Sequence, residues 1–407
     1  MKKFLFSLLF CCSLLLPQVK TGIEVLASSN FAILEGKRVG LVTNPTGITS
    51  NFVSTVDVLA KAPNVKLVAL FGPEHGVRGD VTAGGKIDTF TDSATGLPVY
   101  SLYGKTRKPT PEMLKGIDVM VYDIQDVGSR SYTFINTLAY VMEAAAENNI
   151  SVVVLDRPDP LNGARVEGNI LDLKFRSFVG QYPIPYVYGM TCGEFAGMLN
   201  NEGWLEGGKK CSLTVVKMEN WKRWMHWDNT KLPWVPTSPH IPNAETALYY
   251  SAIGMLGELE TVNIGVGYTM PFQLVGQDWI NGPKFADALN AKKLPGLYFR
   301  PLSYKPYYAK QIGKQLSGIQ IHIVDRSKVN LTNLQIHVIE TLIRLYPDKN
   351  PFVLADSSRN AMFDKVAGTD EVRTALMKGI PAETIIAGWQ RGVTEFMPIR
   401  KKYLLYD

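Results

Sequence analysis

Cysteine is scarce in this 407-residue chain: four in all, with Cys11 and Cys12 inside the first twenty residues. Only Cys192 and Cys211 remain beyond that stretch, which excludes a disulfide scaffold and leaves one bridge or two buried thiols. No apolar run after the N-terminus reaches the ~20 residues that a membrane span needs. Charge of one sign does not dominate. Lys and Arg number 43 against 37 Asp and Glu, a net +6, and no basic stretch could track a phosphate backbone, so a nucleic-acid partner is not expected. Gly 35 and Pro 24 are ordinary and exclude low-complexity classes. With 46% hydrophobic and 20% charged residues the chain can bury a sizeable core, and its length fits two or three domains.

Several catalytic signatures are missing as well. No G-x-G-x-x-G follows the first apolar run, and Gly104-Lys105-Thr106 lacks the upstream glycine of a P-loop, so dinucleotides and nucleoside triphosphates are disfavoured. The five histidines (75, 226, 240, 322 and 337) form no H-E-x-x-H, and no G-x-S-x-G elbow appears. Neither a metal nor another cofactor is expected.

What is present begins with Lys2 and Lys3, followed by an apolar run from Phe4 to Leu16 and closed by Pro17. A positive start before so short a run reads as a signal peptide over residues 1–20, not a spanning helix. Its removal takes three lysines and no acid, so the charge falls from +6 to +3. The expected location is the periplasm or cell envelope. Cys11 or Cys12 offers a position for a lipid anchor; the alternative is a poorly processed signal or a buried N-terminal segment. Oligomeric state is not readable.

Four runs of strand length, 38–42, 65–71, 119–124 and 152–155, are rich in Val, Ile and Leu, as buried parallel strands are. Helical patterns at 51–61, from Thr110-Pro111-Glu112, and at 131–148 alternate with them, which implies βαβ units. The spacing further predicts a helix over 191–200, strands at 213–218, 319–324 and 352–354, and a helix over 334–345. The fold class is α/β: a Rossmann-like parallel-sheet domain over 21–278, then a smaller α/β domain over 279–407 closing a pocket.

The strand ends carry the chemistry. They run into Asn44, into Gly72-Pro73-Glu74-His75-Gly76, into Asp123-Ile124-Gln125-Asp126, and into Asp156-Arg157-Pro158. Ligands of open α/β sheets bind beyond the carboxyl ends of the strands, so these groups share one rim, with His75 its only histidine. Partial burial of Glu74 suits a general acid; its alternative is a loop acid pairing with Arg78. Two carboxyl groups beside a scissile bond are what glycosidic cleavage needs, and Asp123 and Asp126 are the candidates for the second. The plainer reading has Asp126 capping the next helix and pairing with Arg130. Arg157 could hold a substrate carboxylate or pair with Asp156. Trp221, Trp224, Trp227 and Trp234 either stack on a sugar or form a small core of their own. Glu258, Glu260 and Asn263 either complete a pocket wall or make an interdomain turn.

Taken in order, Thr21-Gly22-Ile23-Glu24-Val25-Leu26, Phe71-Gly72-Pro73-Glu74-His75-Gly76, Tyr122-Asp123-Ile124-Gln125-Asp126-Val127-Gly128, Leu155-Asp156-Arg157-Pro158, Tyr188-Gly189-Met190-Thr191 and Gly318-Ile319-Gln320-Ile321-His322 resemble the exo-β-N-acetylmuramidase (NamZ) family of glycoside hydrolases. The resemblance implies release of N-acetylmuramic acid from non-reducing ends of peptidoglycan fragments, with Glu74 as the catalytic acid. It carries His75, Asp123, Gln125, Asp126 and Arg157 over as pocket residues; Asn44, Arg78, Arg130, Glu260 and Asn263 join them as substrate-binding candidates. The segment 260–269 departs from the family's pattern, being one residue shorter and without its arginine. Two other readings stand beside this one: a non-catalytic muropeptide binder of the envelope, and a glycosidase for another β-linked amino sugar.

Overall fold

The computed structural model describes residues 17–79 and 90–407. The expected lipidation sites and most of the signal reading lie outside the described residues. Val19, inside the expected 1–20 segment, is fully buried with Met218, Trp221 and Met225, and Lys20 pairs its backbone with Glu219, so the folded body begins before residue 21.

In chain order the strands are β1 (Arg38–Thr43), β2 (Lys66–Gly72), β3 (Phe90–Thr91), β4 (Pro98–Ser101), β5 (Val119–Asp123), β6 (Ser151–Leu155), β7 (Glu167–Ile170), β8 (Pro185–Val187), β9 (Leu213–Val216), β10 (Leu274–Gln277), β11 (Leu297–Tyr304) and β12 (Leu316–Ile323). Seven of them make one sheet in the order β3-β4-β2-β1-β5-β6-β9, parallel except for β3 against β4. Side chains alternate across it. Val119 and Val121 of β5 enter one core with Val39, Leu41 and Leu155, whereas Met120 and Tyr122 enter the other with Phe71, Val152 and Val154. Helices cover both faces, as continuous apolar strands require.

Helix starts follow their caps. Thr191 accepts the Glu194 amide at 3.2 Å while Glu194 reaches back to the Thr191 amide at 3.1 Å, starting the helix Cys192–Asn201. Thr110 and Pro111 open a one-turn helix as expected. Gly22 starts the helix Gly22–Ser28 hard against β6; a Cβ there would lie 2.4 Å from the Asp156 amide nitrogen.

Two expectations differ from the structure. Phe352–Leu354 is not a strand but part of a one-turn helix, Pro351–Leu354, because the Asn350 side chain accepts the Phe352 amide at 3.0 Å and Pro351 presets the first turn. The sequence placed the domain boundary at 278, but β10 pairs with β12 in the antiparallel sheet β10-β12-β11, and the helix Ala244–Gly257 packs on the helix Leu331–Leu345. The change of core falls near Asn243. The two halves are bolted together: the buried Arg130 guanidinium donates to the carbonyls of Asn169 and Ile184 and, across the halves, of Ala367. Among the described residues no helix is long and apolar enough to cross a membrane.

Candidate active site

The chain leaves β1 towards β2 on one side, and β5 towards β6 on the other. The crevice between the carboxyl ends of β1 and β5 is therefore the switch point where such sheets bind ligands. Here the two loops close on each other. The Thr46 hydroxyl accepts the Gln125 amide at 2.9 Å, and the Asn44 carboxamide oxygen accepts the Thr46 amide at 3.0 Å. Asp123, with no exposed surface, takes Arg157 through Nε at 2.5 Å and Nη2 at 2.9 Å, and also accepts the Thr55 hydroxyl. Gln125 spends its amide nitrogen on the carbonyls of Asp126 and Pro158.

This wiring corrects several expectations. Asp123 is not a second catalytic carboxyl, because a fully buried, ion-paired side chain cannot touch a sugar. The Arg157 guanidinium is engaged by Asp123 and by the Ile48 carbonyl at 2.9 Å, while Asp156 meets Arg157 only through the backbone amide, at 3.1 Å. Arg130 is the interdomain bolt described above and pairs with no carboxylate; burial lowers its pKa to about 10. Arg78 binds Asp92 through two bonds of 3.0 and 3.1 Å, which helps hold the Asp92 carboxyl down at about 2. Asp126 is buried, with Oδ2 accepting Tyr188 at 2.6 Å and the Gly128 amide at 2.8 Å; burial raises its pKa to about 6. The spaces beside these residues are small. One bordered by Thr46, Gln125, Arg157, Trp227 and Trp234 and another bordered by Asp126, Arg157 and Asp159 each hold about 10 Å³, room for one water.

Glu74 stands apart from that buried network and is only partly buried. The Gly76 amide donates to the Pro73 carbonyl at 3.0 Å, closing a four-residue turn with His75 at φ +74°. A type II turn prefers glycine at that position, so a histidine there stores backbone strain of the sort found at functional sites. The Tyr103 hydroxyl hydrogen-bonds Glu74; burial first, and then the Glu74 charge, push it up to about 12, so it remains a donor. Tyr132, whose hydroxyl also feels the charges of Asp126 and Glu74, packs edge-on against Tyr250 with centroids 5.5 Å apart.

Tyr250 lines a cavity of about 480 Å³ with His240, Glu258, Glu260, Lys310 and Gln311. That volume suits a sugar. His240 lies close enough to His75 for their charges to interact, although burial is the larger cause of its lowered pKa. Glu258 is raised by burial, opposed only by the field of Arg359. Glu260 has φ +55° and is held by Lys310 and by Arg359 Nη2 at 2.7 Å. Asn263 is spent on structure: its oxygen accepts the Gly265 amide at 2.8 Å and Tyr304 at 2.9 Å.

Sequence reasoning thus named Glu258, Glu260 and Asn263, which line the cavity, and Glu74 and His75, whose charges reach residues beside it, and overlooked Tyr103, Tyr250, Lys310, Gln311 and His240. The Pro-flanked Ser238-Pro239-His240-Ile241-Pro242 was the one signal for His240. The tryptophans mostly pack on themselves or the chain end: Trp227 meets Trp234 edge-on at 4.8 Å, and Trp221 meets Tyr406 at 4.9 Å. Cys192 and Cys211 are free, buried thiols. Among the described residues one group could ligate a metal, His337, Glu340 and Glu383, and there the Lys292 ammonium sits 2.7 Å from Glu340.

Fold and site define a two-part α/β protein with a carboxyl group on a strained turn and a sugar-sized cavity lined by further carboxyl groups. Residues 39–245 match the N-terminal model of the exo-β-N-acetylmuramidase NamZ family and residues 248–406 its C-terminal model, so the chain belongs to that family. It is 46% identical over 390 residues to the peptidoglycan β-N-acetylmuramidase NamZ of Bacillus subtilis strain 168, covering 96% of this chain and 92% of that one. Two solved DUF1343 family proteins of Bacteroides fragilis NCTC 9343 share the fold. One superposes with a TM-score of 0.92 at 52% identity, the other with 0.77 at 32%; each match covers 96% of this chain and 99% of the other.

Proposed function

We propose that this protein is an exo-acting β-N-acetylmuramidase, a hydrolase that removes terminal N-acetylmuramic acid from non-reducing ends of peptidoglycan fragments. The observation that supports the reading is Glu74 on its strained turn, hydrogen-bonded by Tyr103 and within electrostatic reach of Tyr132, which packs on the cavity-lining Tyr250. Family membership supports the substrate class.

In this reading Glu74 protonates the departing glycosidic oxygen, while a carboxylate across the cavity activates water or attacks the anomeric carbon. Glu260 is tied to two cations, whereas Glu258 feels the charge of Arg359 without an ion pair among the described residues. Glu258 is therefore the preferred second group. Two variants test the pair on N-acetylmuramyl-β-1,4-N-acetylglucosamine. Glu74→Gln is expected to lose at least ~10²-fold in kcat, the ordinary contribution of a positioned acid. Glu258→Gln is expected to lose a comparable factor. Unchanged release of N-acetylmuramic acid by the first removes Glu74 from the chemistry, and by the second removes Glu258.

The positive, apolar N-terminus supports action outside the cytoplasm, in contact with cell-wall fragments. Mass spectrometry of the protein recovered from the envelope tests this: a shortened N-terminus is expected, and an intact Met1 in the cytoplasmic fraction would contradict it.

A further inference from the structure

The proposed sugar carries a carboxylate on its lactyl ether, and a cavity that accepts it must offer a cation. Among the described lining residues, Lys310 is the single Lys or Arg. It sits on the loop joining β11 to β12, between Ala309 at φ +62° and Gln311 at φ +63°. Two successive departures into the left-handed region, separated by one residue, are costly for non-glycine backbone and persist only where the surroundings impose them.

The surroundings are the segment 263–268. The Tyr307 amide donates to the Gly267 carbonyl at 2.7 Å, the Asn263 side-chain nitrogen donates to Gln311 Oε1 at 3.2 Å, and the rings of Tyr268 and Tyr307 stack at 5.4 Å. Gly267 has φ +92°, and a Cβ there would lie 2.2 Å from the Tyr308 carbonyl oxygen. The loop is thus docked in one place and delivers Lys310 to the cavity with 65% of its side chain exposed.

Charge then decides the role. Lys310 and Arg359 both hold Glu260, two cations on one carboxylate. Arg359 Nη2 lies 2.7 Å from Glu260, so that carboxylate keeps a cationic partner when Lys310 turns to a ligand. We propose that Lys310 is a specificity-determining residue that binds the lactyl carboxylate of the sugar and so selects N-acetylmuramic acid over N-acetylglucosamine. The proposal rests on the hydrolase reading above and names the group that makes it selective.

The test uses the whole protein with two aryl β-glycosides, the N-acetylmuramide and the N-acetylglucosaminide, and calorimetry with free N-acetylmuramic acid. A charge-assisted contact corresponds to roughly ten- to a hundredfold. Lys310→Met is expected to raise KM for the muramide by about that factor with little change in kcat, to lower the muramide-to-glucosaminide preference equally, and to weaken binding of the free acid. Lys310→Arg is expected to restore most of each. A preference ratio untouched by Lys310→Met, or the same loss on both glycosides, overturns the proposal. If wild type turns over neither glycoside, the hydrolase reading falls, and calorimetry alone then decides Lys310: weaker binding in Lys310→Met upholds it and equal binding overturns it.

Discussion

The rim at the sheet's switch point and the wall of the cavity differ in how they spend their polar groups. On the rim, Asp123, Arg157, Gln125 and Asn44 are buried and largely committed to one another or to backbone, beside voids that hold a single water. On the wall, Glu258, Glu260 and Lys310 keep exposed surface around a space of about 480 Å³. The lesson is that polar residues at strand ends here build the frame, while the groups proposed to meet the ligand are the partly buried Glu74 and side chains from loops of the second half.

Breaking the rim should therefore damage the fold first. Arg157→Met leaves the Asp123 carboxylate buried with the Thr55 hydroxyl as its remaining side-chain partner, an uncompensated charge expected to cost about 3–5 kcal/mol. Denaturant melts check this; a loss under about 1 kcal/mol would show that the rim is not a frame.

Glu74→Gln is the opposite case: the loss of at least ~10²-fold in turnover comes with an unchanged melting midpoint. A collapse in stability instead would move Glu74 into the frame. Tyr103→Phe removes one hydrogen bond to that acid and should cost about tenfold in kcat/KM, with the alkaline limb of the pH profile, the one a general acid sets, shifted. A profile identical to wild type would separate Tyr103 from Glu74.

The smallest effect concerns pH. Burial raises Asp159 to about 7 and Asp126 and Asp156 to about 6. A carboxyl raised in the folded state binds more protons there than in the unfolded chain, so stability falls as pH rises from about 4 through 6–7. Asp159→Asn removes one such group and should flatten that decline. A curve parallel to wild type between pH 4 and 7 would contradict it.

Much of this frame could be read from residue order, because it rests on local rules. Val, Ile and Leu runs marked β1, β2, β5 and β6, and Thr110-Pro111 and Thr191 marked helix starts through caps that act within four residues. The strand ends pointed to the right rim, yet period and spacing do not say whether a buried Asp meets a sugar or an arginine. Asp123 was misjudged for that reason. Lys310 and His240 were out of reach because each comes from an irregular loop whose partners, Glu260 and His75, lie 50 and 165 residues away in sequence. Phe352–Leu354 was misjudged because three apolar residues fit a strand or a helical turn equally well, and the preceding Asn350-Pro351 decided between them.

The most direct test of the account is a crystal structure of Glu74→Gln with N-acetylmuramyl-β-1,4-N-acetylglucosamine bound. The scissile oxygen should lie within about 3.2 Å of the residue-74 side chain, with the muramyl ring in the cavity beside Glu258 and Lys310. A disaccharide seated against Asp126 or Arg157, with residue 74 out of reach of the glycosidic bond, would contradict it.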